Sequence, residues 1–309
     1  MNGDTPSRAD GARNRSSGGM GMKIRDLTAL AATLFLVAAT PAAAEPPVWV
    51  VRDADSTIVL FGSVHVLPRD LAWRPARLDT ALASADDIWF ETPVDAASQA
   101  EAVQAMQNNA WLPAGQQLSP LLTPAGRARL VRVCDRLGVA PEDFERMRPW
   151  LVDLRLGLTA LARQGALASA GVEQILAEAA PRATRKAFER SAEQIGFFAD
   201  APMADQLASL EDTLKQIDED PAFYDRLIAA WARGDTAAIE TLGLTPMKRV
   251  SLYLYDRLIV QRNRSWTETI AGRLAGSGQT VVIVGAGHLV GPDSLPAMLR
   301  AKGFLVEGP

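Results

Sequence analysis

Only two histidines occur in the 309 residues, His65 and His288, and each closes a Gly-x-x-His segment that directly follows a β-type run. The first is Thr57–Phe61 followed by Gly62-Ser63-Val64-His65; the second is Thr280–Val284 followed by Gly285-Ala286-Gly287-His288. This repetition near the two ends of the chain constrains the fold. Open sheets with parallel strands place ligands beyond the carboxyl ends of those strands. Glycine at such an end permits a sharp turn and close approach of a ligand. An imidazole there serves as a metal ligand or as a base near neutral pH. Glu91 is a third member of the set, because it closes the apolar run Ile88-Trp89-Phe90. If the three strands are neighbours, His65, Glu91 and His288 converge. Two imidazoles and a carboxylate suit an open site for Zn, Mn, Co or Fe.

The remaining pattern predicts an α+β fold. Val48–Val51 and Thr57–Phe61, separated by Asp53-Ala54-Asp55-Ser56, read as an opening hairpin. Val281–Val284 is apolar on both faces, as a central parallel strand should be. Phe304–Val306 reads as a last short strand and Thr184–Phe188 as another. Between the ends, helical periodicity dominates, with Thr123-Pro124, Ala140-Pro141 and Asp220-Pro221 marking helix starts. Leu252–Leu274 reads as one long helix. The expectation is a central mixed sheet built from N- and C-terminal strands, in a single domain over 45–309. Its large helical insertion, about 95–245, lies over the site as a lid or partner surface. Trp111, Trp150 and Trp231 in that insertion are expected in the core, as is Cys134, the one cysteine.

Residues 1–19 are polar and read as a disordered extension. Lys23 and Arg25, an apolar run from Leu27 to Ala39, and Ala42-Ala43-Ala44 then have the order of a secretory leader, with cleavage expected after Ala44. A periplasmic or secreted location follows, with membrane attachment only through an uncleaved leader. With 32 basic and 36 acidic residues, no strongly basic surface is available and nucleic acid is not expected as a partner. One cysteine excludes an internal disulfide and a cysteine-based metal cluster. Gly285-Ala286-Gly287 fails as a dinucleotide fingerprint, since the third glycine position holds Val290. No Gly-x-Ser-x-Gly or His-Glu-x-x-His segment is present.

The segments Phe61–His65, Glu91, Arg262-Asn263 with Trp266, and Val284–Gly291 resemble the TraB/PrgY/GumN family. That family shares its two Gly-x-x-His motifs and its glutamate with the Tiki metalloproteases, and is thought related to erythromycin esterases and a haem-binding ChaN-like group. Gly171-Val172-Glu173 and Phe188-Glu189 with Gln194 resemble its middle motifs, although Arg190-Ser191 departs from the pattern. The resemblance implies a metal-dependent, peptidase-like hydrolase using Mn or Co, with Zn also suited to the donors, acting on a peptide or small-molecule substrate. His65 and His288 would be metal ligands or bases, and Glu91 a metal ligand or the base that activates water. Arg262 and Asn263 would steady an oxyanion or a substrate carboxylate. Two other readings stay open: a non-catalytic metal- or haem-binding protein, and a metal-free esterase of the erythromycin-esterase type with a histidine base.

Overall fold

The computed structural model describes residues 45–309. The expected extension and leader, 1–44, lie outside the described residues. The opening hairpin pairs β1 (Val48–Arg52) with β2 (Ser56–Ser63), turned by Asp53, whose carboxylate accepts from the backbone N–H groups of Asp55 and Ser56. A two-residue strand β3 (Leu67–Pro68) follows, then α1 (Ala76–Ala83) and β4 (Asp87–Phe90). The helical stretch begins with α2 (Ala96–Asn109), α3 (Pro124–Leu137) and α4 (Pro149–Arg163). The two-residue β5 (Ala166–Leu167), which pairs with β3, leads to α5 (Val172–Ala179) and β6 (Thr184–Ala187). Then come α6 (Ser191–Ala199), α7 (Met203–Glu219), α8 (Phe223–Ala232), α9 (Thr236–Ile239), α10 (Thr245–Val250), α11 (Leu252–Tyr255) and α12 (Gln261–Leu274). The chain ends with β7 (Gly278–Gly285), α13 (Leu295–Ala301) and β8 (Leu305–Glu307).

Six strands form one mixed sheet in the order β6-β4-β7-β2-β1-β8. β6, β4, β7 and β2 run parallel, and β1 and β8 complete one side antiparallel to their neighbours. The α+β architecture with N- and C-terminal strands in one sheet is therefore as the pattern predicts. Val281 to Val284 are fully buried, which explains a run that is β-branched with no polar alternation. Helix α12 covers one face, where Ile270 meets Ile58, Trp89 and Val282. A second apolar cluster sits apart in the helical stretch, where Leu130, Val133 and Cys134 of α3 pack with Val152 and Leu156 of α4 and Leu210 and Leu214 of α7.

Two details differ from the sequence reading. The stretch Leu252–Leu274 is helical throughout but interrupted by a π turn at Asp256–Val260. Such a turn adds a residue to one helical revolution, so periodicity alone does not announce it. Trp150 and Trp231 are buried, but Trp111 is 56% exposed. Residue 111 forms a short extended bridge with Met147, and alternation sends Leu112, not Trp111, inward.

Candidate active site

The parallel strands bring the expected residues to one edge. β2 ends at Ser63, two residues before His65; β4 ends at Phe90, next to Glu91; β7 ends at Gly285, three residues before His288. β4, β7 and β2 are consecutive in the sheet, so the condition for convergence is met. The register pairs Gly62 with Val284 and Ser63 with Gly285, which lays the two Gly-x-x-His segments side by side. A Cβ on Gly62 would stand 3.0 Å from the Ala286 Cα, tight enough that one of the two segments must shift. The fourth parallel strand adds an acid that matches Glu91: Glu189 lies two residues past β6, and its N–H donates to the Glu91 carbonyl at 2.9 Å.

Glu91, Arg262 and His288 form one buried network. Arg262 Nη2 donates to Glu91 Oε2 at 2.6 Å and to Glu189 Oε2 at 2.9 Å. Its Nε donates to Glu189 Oε1 at 2.8 Å, and its Nη1 to the Leu258 carbonyl at 3.1 Å and to His288 Nε2 at 3.0 Å. All five N–H bonds of the guanidinium thus have protein partners. The Leu258 carbonyl belongs to the π turn, one revolution before Arg262. Glu91 Oε1 accepts from the Gly285 N–H at 2.6 Å, and Oε2 also accepts from Gln194 Nε2 at 2.8 Å. Because Nε2 of His288 accepts from Arg262, its Nδ1 carries the proton and donates to Asn263 Oδ1 at 2.7 Å. Asn263 in turn donates through Nδ2 to the Asp293 carbonyl at 2.7 Å and the His288 carbonyl at 3.3 Å. Trp266 lies against the His288 ring, centroids 4.5 Å apart, and beneath the Arg262 guanidinium.

The charges follow from these contacts. Burial opposes ionisation of Glu91, but Arg262 and the Gly285 N–H outweigh it and hold the pKa at about 2. Burial drives His288 down to about 3, so its ring is neutral. Burial also pushes Glu189 up, and the hydrogen bonds from Arg262 only partly offset it.

His65 stands apart from this network and at its rim. Its ring is 69% exposed, and Nδ1 lies 2.8 Å from Glu173 Oε1. The Glu173 charge raises the imidazole pKa to about 9, with smaller contributions from Glu91 and against it from Arg262; water around the exposed ring screens part of that rise. The pairing depends on a close approach of two backbones. The Val172 N–H donates to the Val64 carbonyl at 3.1 Å, and a Cβ on Gly171 would fall 2.1 Å from the His65 carbonyl oxygen. Only glycine fits there, and it seats α5 so that Glu173, in its first turn, meets His65.

The structure thus joins Glu91, Arg262, Asn263 and His288 by direct hydrogen bonds and adds His65 at the edge. Three partners were not given roles by the sequence: Glu173, Glu189 and Gln194. Glu189 carried the signal used for Glu91, an acid closing a strand candidate. Glu173 carried a place in a segment that resembles a middle motif of the family, but nothing that announced its contact with His65.

In this arrangement His65, Glu91 and His288 do not fit a metal ion. Glu91 Oε1 and His288 Nε2 lie 3.7 Å apart, but the Arg262 guanidinium bonds to both side chains and supplies the positive charge there. His65 Nδ1 faces Glu173 instead. Among the described residues no three His, Cys, Asp or Glu side chains are grouped to hold an ion.

Comparison with known proteins agrees with the motifs. The family model described as "TraB/PrgY/gumN family" matches residues 47–308, nearly all of the described chain. This chain belongs to the TraB/PrgY/gumN family. Two curated relatives, each named "Uncharacterized protein YbaP", come from Escherichia coli (strain K12) and Shigella flexneri. Each is 29% identical over 243 residues, covering 78% of this chain and 87% of the relative. No solved structure matches. The span matched to the TraB/PrgY/gumN family contains every residue gathered at the sheet edge, Glu173 and Glu189 included.

Proposed function

We propose that this chain is a hydrolase acting outside the cytoplasm, in which His65 activates water at the rim of the Glu91–Arg262–His288 network. The observation that carries the reading is the exposed His65 ring with Nδ1 2.8 Å from the Glu173 carboxylate, an ion-pair contact. A base fixed through one nitrogen presents the other to a reacting water. Neutral His65 takes a proton from water at Nε2 while the oxygen attacks a carbonyl carbon. The imidazolium, stabilised by Glu173, then gives that proton to the leaving amine or alkoxide as the carbon–heteroatom bond breaks. Arg262 keeps Glu91 ionised and, with Asn263, fixes the neutral His288 tautomer, so the network presents a set pattern of charge to the substrate. With its five donors engaged, Arg262 acts as a positioning residue. The resemblance of the motifs to Tiki metalloproteases and erythromycin esterases supports carbonyl hydrolysis, of a peptide or an ester. The leader-like order of residues 20–44 supports a periplasmic or secreted location.

A second reading is metal-dependent hydrolysis, with Mn, Co or Zn held by His65, His288 and Glu91. It is favoured by the 3.7 Å approach of Glu91 Oε1 to His288 Nε2, and it requires Arg262 to withdraw. Peptide and ester panels assayed with and without EDTA separate the readings. Turnover that survives chelation supports the first. Turnover lost on chelation and restored by Mn, Co or Zn supports the second. Bound metal or haem with no turnover on either panel overturns both in favour of a binding protein.

A further inference from the structure

The helical stretch holds a cavity that the hydrolase reading does not use. It has a volume of about 190 Å³ and lies between α4, α6, α7 and the turn of chain joining α10 to α12. Its walls are mostly apolar, among them Trp150, Leu154, Phe198 and Leu258, with Asp153 and Gln206 as polar members. At the wall Trp150 is buried, while Leu154 and Phe198 are 40% and 37% exposed. A second cavity of about 210 Å³ shares Ser209, Met247 and Leu254 with it and extends the space.

One acceptor in this wall lacks a hydrogen-bond donor, and a half-buried carboxylate beside it lacks a basic partner. Gln206 is 1% exposed, and its Nε2 donates to the carbonyls of Ala199 and Ala201, which fixes the orientation of the amide. Its Oε1 is left buried with no hydrogen-bond donor. Half-buried Asp153 accepts from Ser209 Oγ at 2.6 Å and from the Thr213 hydroxyl, but among the described residues no lysine, arginine or histidine pairs with it. Its neighbours Asp212 and Tyr224 supply no positive charge. Burial accordingly pushes the Asp153 carboxyl up. Buried carbonyl and carboxylate oxygens of this kind are costly unless a donor completes them. A single water satisfies an amide oxygen, but it leaves a carboxylate without a counter-charge.

We propose that this cavity is a binding site for a small organic ammonium ion with an apolar body. The ammonium donates to Asp153 and Gln206 Oε1 and lies beside the aromatic faces of Trp150 and Phe198, an environment that favours cations. The aliphatic part fills the apolar space toward Met247 and Leu254. Leu258 lines the cavity, and its carbonyl accepts from Arg262, so the site adjoins the buried network through that one residue.

Calorimetric titration of the full mature protein with butylammonium, hexylammonium, 1-hexanol and hexanoate tests the assignment. Both ammonium ions are expected to bind, with hexylammonium tighter by about fourfold per added methylene. Hexanoate is expected not to bind, and 1-hexanol to bind at least about tenfold more weakly than hexylammonium. Asp153→Asn removes a charge from a half-buried site and keeps the side chain's shape, so it is expected to fold, as a thermal melt will show, and to weaken hexylammonium by about tenfold or more. No heat from either ammonium ion, equal binding of hexanol, or unaltered affinity in Asp153→Asn overturns the proposal. None of these outcomes bears on hydrolysis, which is measured separately.

Discussion

Arg262 Nη2 and Glu91 Oε2 approach to 2.6 Å with both side chains more than nine-tenths buried, and the same guanidinium holds Glu189 and His288. One cation therefore bridges two carboxylates and fixes an imidazole. Truncating it leaves two buried acids without a counter-charge, which costs about 3–5 kcal/mol. Arg262→Ala is expected to lower the urea midpoint accordingly, and Arg262→Lys to recover little, because an ammonium cannot match the fork that spans Glu189. A melt of Arg262→Ala within about 0.5 kcal/mol of the parent contradicts this account of the network.

The titrating groups set opposite limbs to stability. Glu91 is held at about 2, below its ordinary value near 4.5, so the stability it contributes is present above that ordinary value and lost as pH falls toward 2. His288, depressed from 6.5 to about 3, acts in the same direction: the unfolded chain binds its proton first, and stability falls from about pH 6.5 downward. His65 is raised, so its contribution is full below about 6.5 and fades as pH rises toward 9. Thermal melts between pH 3 and 10 should give a maximum near neutrality, with the steeper loss on the acid side. His65→Asn should flatten only the alkaline limb.

Much of this was legible before any coordinates. The matched Gly-x-x-His segments, with Glu91 closing an apolar run, pointed to adjacent parallel strands ending at one edge, and they end there. The hairpin and the apolar run Val281–Val284 of β7 were readable because burial on both faces leaves a distinctive run. The partners of the histidines were not readable. That Glu173 meets His65 depends on the contact of Gly171 with the His65 carbonyl, a long-range packing fact with no local pattern. That Arg262 faces both Glu91 and Glu189 depends on the phase of α12 after the π turn, which periodicity over Leu252–Leu274 does not reveal.

Glycine at 171 is required by space. Gly171→Ala places a Cβ 2.1 Å from a backbone oxygen, so the His65 loop or α5 must shift. A loss of about 1–3 kcal/mol is expected, together with lost turnover, since the shift separates His65 from Glu173. Chemical denaturation and initial rates on one preparation check both. Full activity in Gly171→Ala contradicts the role given to the pair.

Glu173 sets the working protonation of His65. The rate should rise with pH as His65 loses its proton, with the limb displaced upward by the Glu173 charge. Glu173→Gln removes that charge, so the limb should move to lower pH while the maximal rate falls, because the imidazolium formed in the reaction loses its stabilising carboxylate. A pH–rate profile identical to the parent's sinks this role.

The central claim is that His65 is the base. The rate of carbonyl hydrolysis by His65→Ala against the parent, both stripped with EDTA, tests it most directly. The parent is expected to retain turnover after chelation, and His65→Ala to lose about 10²–10⁴-fold in kcat with its fold intact. Equal rates in the two proteins, or a parent that works only once Mn, Co or Zn is returned, contradict it.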